Sequence, residues 1–122
     1  MPKIKVMFSS RPKLLSEVIR NLIEHQSDME VMGEVVDPIE LIFALRELPV
    51  DVVIITPVNV NQNPRLCSQL LKEHPDLIIL TLTKKNEAVY VYRLGMDRRC
   101  IEKPSEQIII DVIHNSLRSY TN

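Results

Sequence analysis

Glycine is scarce: the 122 residues contain two, Gly33 and Gly95. Neither lies in the loop after the first apolar run, where a cradle for a phosphate needs close backbone approach. That argues against a flavodoxin-like cofactor site, and no cofactor is expected. Cysteine is equally scarce, and Cys67 and Cys100 make no disulfide framework. None is required, because a chain this long buries about two thirds of its unfolded surface without staples or metal. Both cysteines read as small apolar residues of a reducing compartment. Charge of one sign is missing too, with 15 basic against 16 acidic side chains and a net charge of −1. A domain that lives on phosphate contacts carries a basic excess, so no direct nucleic-acid contact by this domain is expected. Long apolar runs are also missing. Val50 to Thr56, already interrupted by Asp51, falls far short of the roughly 18 residues a spanning helix needs, and Met1-Pro2-Lys3-Ile4-Lys5 has no signal-peptide core. The expectation is one cytoplasmic globular domain over residues 1–122 with no membrane partner.

What is present is an alternation of strand-length apolar runs with segments of helical period. Strands are expected at Ile4–Phe8, Glu30–Val36, Val52–Ile55, Leu77–Leu82 and Arg99–Glu102. The first helix follows a cap at Ser10, with Leu14, Leu15, Val18, Ile19, Leu22 and Ile23 on one face. Asp37-Pro38-Ile39-Glu40 gives the second helix an N-cap, a proline at its first position and an early acid. The third starts at Asn63-Pro64 and stops at His74-Pro75. A short fourth helix is expected over Glu87–Leu94, with Gly95 as its left-handed C-terminal residue. Ser105 caps the last helix, whose apolar positions are Ile108, Ile109, Val112, Ile113 and Leu117. Val52-Val53-Ile54-Ile55 is apolar on both pleat faces, as a central parallel strand must be. The pattern predicts a doubly wound α/β three-layer sandwich, flavodoxin-like, with a five-stranded parallel sheet in the order 2-1-3-4-5. Function is then sought at the carboxyl ends of the strands.

Those ends carry Ser9, Ser10 and Arg11, then Thr56, then Thr83, Lys84 and Lys85, then Lys103. Here the sequence resembles the receiver domain of bacterial response regulators. The stretch Glu30-Val31-Met32-Gly33-Glu34-Val35-Val36-Asp37, with Leu45-Arg46-Glu47-Leu48 and Asp51-Val52-Val53-Ile54-Ile55, is similar to receivers of LuxR-type transcription factors. Thr83 matches the receiver's switch threonine, and Lys103-Pro104 its lysine and following cis proline. The resemblance implies two metal-binding acids after the first strand and a phosphoacceptor aspartate after the third. This chain has Ser9, Ser10 and Thr56 in those places. Mg²⁺ is normally anchored by carboxylates, and a threonine hydroxyl without a base is a poor nucleophile. No metal site, no aspartyl phosphorylation and no enzymatic activity are therefore expected.

Competing readings are weaker. A serine hydrolase needs a histidine beside Ser9 or Ser10, yet His25, His74 and His114 fall near helix ends or late in a helix, at the opposite rim. Arg11, Lys84, Lys85 and Lys103 form a candidate anion site that would replace the metal site, and this small-anion or cofactor-binding module is the alternative reading. Phosphorylation of Thr56 or Thr83 by a kinase is disfavoured by their buried flanking strands. Asp97, Arg98 and Arg99 read as a solvated charge run. Val89, Tyr90, Val91 and Tyr92 cannot all face the sheet from one short helix, which points to a partner surface at Tyr90 or Val91. The reading is an atypical receiver, or pseudo-receiver, in signal transduction or transcription regulation. Its expected partner is a second copy or an effector domain. It is expected either to stand alone or to be excised from a regulator with a C-terminal helix-turn-helix domain.

Overall fold

The computed structural model describes residues 3–10, 13–35, 38–56, 64–82, 88–95, 99–103 and 105–118. Four helices and six strands follow the chain among them: β1 Ile4–Ser10, α1 Lys13–Glu24, β2 Met29–Val35, α2 Pro38–Glu47, β3 Val52–Thr56, α3 Pro64–Glu73, β4 Ile78–Leu82, β5 Ala88–Tyr92, β6 Arg99–Glu102 and α4 Glu106–Arg118. The sheet has the order β2-β1-β3-β4-β5-β6. Its first four strands are parallel, while β5 runs antiparallel to both β4 and β6.

The doubly wound α/β architecture and the 2-1-3-4 start of the sheet are as expected, but two details are corrected. The segment read as a short helix over Glu87–Leu94 is strand β5, and the sheet has six strands, not five parallel ones. Only residues 83–87 join β4 to β5, and only 93–98 join β5 to β6. A parallel crossover needs a dozen residues or more, so both connections must reverse the chain. Ala88-Val89-Tyr90-Val91-Tyr92 alternates β-branched and aromatic residues with period two, a composition that fits a pleated surface better than a helix. Gly95 does adopt the left-handed region, at φ 77°. It does so in the turn after β5, where no helix ends.

Each face of the sheet has its own core. On one side Val6, Phe8, Val52, Ile54, Ile78, Leu80, Leu82, Val89 and Val91 pack under α1 and α4 through Ile19, Ile23, Ile109, Ile110 and Ile113. On the other Met7, Val53, Ile55 and Ile79 meet Leu41 and Leu45 of α2 and Cys67, Leu70 and Leu71 of α3. The strands are apolar on both sides because both sides are covered. Burial pushes the Cys67 thiol up to about 11.

The amino ends of the strands are tied by Asp51. Its carboxylate accepts from the Lys5 amide at 2.9 Å, its own amide donates to the Lys5 carbonyl at 2.8 Å, and its carbonyl accepts from the Ile78 amide at 3.1 Å. This clasp joins β1, β3 and β4 at one rim and so sets what lies level at the other. At the start of α4 the Ser105 hydroxyl accepts from the Ile108 amide at 3.2 Å, the cap read from the sequence. No helix among the described residues is long and apolar enough to cross a membrane.

Candidate functional site

Strand register decides which residues share the carboxyl rim. Ser10 of β1 lies beside Thr56 of β3, so the structure brings together two of the three positions where the resemblance places acids. Ser9, one residue earlier, is 6% exposed. It heads a row that crosses every strand, because Ser9 pairs with Val35 and Ile55, Ile55 with Thr81, Thr81 with Tyr90, and Tyr90 with Cys100. The row lies on the α2–α3 side, the side of Val35 and Ile55. It passes from closed to open: Thr81 is buried, Tyr90 half-buried and Cys100 exposed. Helices α2 and α3 cover one half of this face. In the other half, the segment read as a covering helix has become β5.

The extra strand also moves Lys103. It directly follows β6, which runs parallel to β3 and β4 and so ends at the same rim as Thr56. Two strands, β4 and β5, separate β6 from β3. At the usual spacing between strands, that puts Lys103 about 14 Å from the end of β3, against about 10 Å without β5. Lys103 is exposed and its backbone has φ 47°, a left-handed conformation that is uncommon for a side chain of this kind. Arg11, Thr83, Lys84, Lys85 and Pro104 lie outside the described residues.

The three histidines lie away from Ser9 and Ser10. His25 follows α1, where its Nδ1 is 2.6 Å from the Asn21 carbonyl oxygen, and His74 follows α3 ahead of β4. His114 of α4 meets Asp28, which precedes β2, with Nε2 2.7 Å from Oδ2. All three belong to the amino rim of the strands. Among the described residues no three His, Cys, Asp or Glu side chains converge as metal ligands. Glu34, which pairs with Phe8 one residue before Ser9, faces Arg20 across 3.5 Å.

Thr81 is the hydroxyl that sequence reasoning passed over. It is 2% exposed and sits between Ile55 and Tyr90. The signal for it is the alternation in Leu80-Thr81-Leu82, which puts a hydroxyl inside an otherwise apolar strand.

Neither a family model nor a curated protein matches the sequence. Solved structures do. The chain is similar to the two-component response regulator RcsB in its complex with DNA, with a TM-score of 0.61 and 24% identity over 70% of this chain and 44% of that one. Two structures of the Salmonella typhimurium RcsB response regulator, reported for their conformational dynamism in DNA interaction, give TM-scores of 0.60 and 0.56 at 24% and 26% identity. Each aligns with 71% of this chain, and with 45% and 46% of its own length. The chain thus spans less than half the length of these regulators. The likeness establishes a fold shared with response regulators.

Proposed function

We propose that the chain is a receiver-like signalling domain that works by protein–protein contact without aspartyl phosphorylation. The observation that carries this reading is the pairing of Ser10 with Thr56 at the rim, next to a buried Ser9, where a phosphorylatable receiver has carboxylates. Hydroxyls leave Mg²⁺ without an anionic anchor and the phosphoryl group without a nucleophile. Displacement of Lys103 by one strand supports the same reading, since a cation about 14 Å from the end of β3 is poorly placed to neutralise a phosphoryl group there. It weighs equally against an anion site that needs Lys103. Switching then belongs to a partner: a second copy, or an effector domain such as the DNA-binding part of a transcription regulator. In this role the protein is not an enzyme and needs no cofactor.

The test is an amide chemical-shift titration of the labelled protein with Mg²⁺, then with beryllofluoride, and with sulfate alone. Ser9, Ser10 and Thr56 are expected to stay unmoved by Mg²⁺ and beryllofluoride. Saturable Mg²⁺-dependent shifts there would show that other acids complete the site. Saturable sulfate shifts would instead favour an anion-sensing module.

A further inference from the structure

The amino rim of the sheet carries an ion pair between distant parts of the chain. Asp28, in the turn between α1 and β2, and His114, in the second half of α4, are 86 residues apart in sequence. They meet with Nε2 2.7 Å from Oδ2. Both backbones are held. The Asp28 carbonyl accepts from the Ile4 amide at 2.8 Å, and the turn is closed by bonds from the Gln26 amide to the Ile23 carbonyl and from the Met29 amide to the Gln26 carbonyl. Met29, next to Asp28, is buried in the same core as Val112 and Ile113, which precede His114. Surface ion pairs contribute little when two long side chains must be ordered to make them. Here both side chains are short and stand on fixed backbone, with the imidazole 29% exposed and the carboxylate 54%. Less freedom is lost in pairing them.

We infer that His114 and Asp28 form a proton-operated latch tying α4 to the α1–β2 turn, tight when the imidazole is charged and slack when it is neutral. Imidazole is the side chain that changes charge between about pH 5 and 8. Charged, it gives the Asp28 carboxylate a charge-assisted hydrogen bond. Neutral, it leaves at most an uncharged donor, worth roughly half as much. The latch therefore adds stability at the acid end of that window, and this is lost as the proton leaves. The neighbouring charged groups are otherwise engaged or face elsewhere. His25 bonds to the Asn21 carbonyl, and Arg20 of α1 is taken up by Glu24 and Glu34. Lys5 and Glu30 alternate with Ile4, Val6, Met29 and Val31, which face the α1–α4 core, and so belong to the opposite face. Lys3 stands exposed ahead of β1. Asp51, Glu73 and Asp76 line a cavity between the ends of α2 and α3. Arg93 follows β5 and Arg99 opens β6, and these strands lie four and five places from β2 in the sheet, about 19 and 24 Å away. On α4 itself, Asp111 and Arg118 stand one turn either side of His114, and the Asp111 carboxylate accepts from Gln107 at 3.0 Å.

This inference goes beyond the proposed function and does not rest on it. The latch lies at the rim opposite Ser10 and Thr56, and a receiver phosphorylated on aspartate could hold the same pair. A double-mutant cycle on the full chain tests it, with Asp28→Asn, His114→Gln and the double variant unfolded in urea beside the parent protein at pH 5 and at pH 8. Both replacements keep hydrogen-bonding groups and remove the charge. His25 and His74 are present in all four proteins, so their own titration cancels from the coupling. At pH 5 the coupling between positions 28 and 114 is expected to favour folding by about threefold to fivefold, and at pH 8 by less than about twofold. Coupling as large at pH 8 as at pH 5 would show a hydrogen bond that no proton operates. Coupling absent at both would show a contact that holds nothing. Either result overturns the latch.

Discussion

Replacing Val89 by alanine tests the placement of β5 inside the sheet. Val89 is 1% exposed and faces the α1–α4 core, paired with Leu82 on one side and Ile101 on the other. The substitution removes two methyl groups at about 0.8 kcal/mol each, and strands fixed on both sides collapse little into the space left behind. The expected loss is about 2–3 kcal/mol. For a domain of this size it corresponds to a fall in Tm of about 10 °C. At a position outside the core the same change would cost no more than a few tenths of a kcal/mol. Urea denaturation followed by circular dichroism reads the difference as a lower midpoint at constant slope. A midpoint unchanged or raised by Val89→Ala would refute the placement of β5 inside the sheet.

Lys103→Gly is expected to stabilise the fold by about 0.5–1 kcal/mol, since relief of the left-handed backbone outweighs the entropy of the added glycine. A destabilised variant in the same denaturation assay would contradict that accounting. Ser105→Ala removes the cap of α4 and should cost about 1 kcal/mol, and restoring Asp at the position should recover most of it. Cys67 has a pH signature. Its folded-state value is raised from 9.0 to about 11 by burial, so the native state holds the proton more tightly than the unfolded chain. The resulting stability is fully present below pH 9 and is lost as pH rises through 11. Urea midpoints measured across that window should fall more steeply for the parent protein than for Cys67→Ala. In a thiol-labelling assay of the native protein, Cys100 should react and Cys67 should not.

Most of the architecture was legible because its signals are strong and local. Val52-Val53-Ile54-Ile55 could only be a strand covered on both faces, and Pro38 and Pro64 marked helix starts where α2 and α3 begin. Ser105 was recognisable as a cap from its position alone. The failure at residues 87–94 has a definite cause. A helix there makes the whole span from Leu82 to Arg99 one crossover of ordinary length, and Gly95 fits the end of such a helix. The alternative, two chain reversals around Ala88-Val89-Tyr90-Val91-Tyr92, fits the same length. The difficulty of burying all four of Val89, Tyr90, Val91 and Tyr92 from a helix was the clue. A strand resolves it by sending Val89 and Val91 to one core while Tyr92 packs against the other. The hydroxyls at the rim could be read from sequence, because strand ends alone locate them. The distance of Lys103 could not, because it depends on how many strands intervene.

The most direct test of the account is the intact mass of the protein after incubation with acetyl phosphate and Mg²⁺, compared before and after hydroxylamine treatment. With Ser9, Ser10 and Thr56 in place of the acids, no phosphoryl adduct is predicted. An adduct that hydroxylamine removes would mark an acyl phosphate on a carboxylate, and it would contradict the claim that this receiver-like domain signals without one.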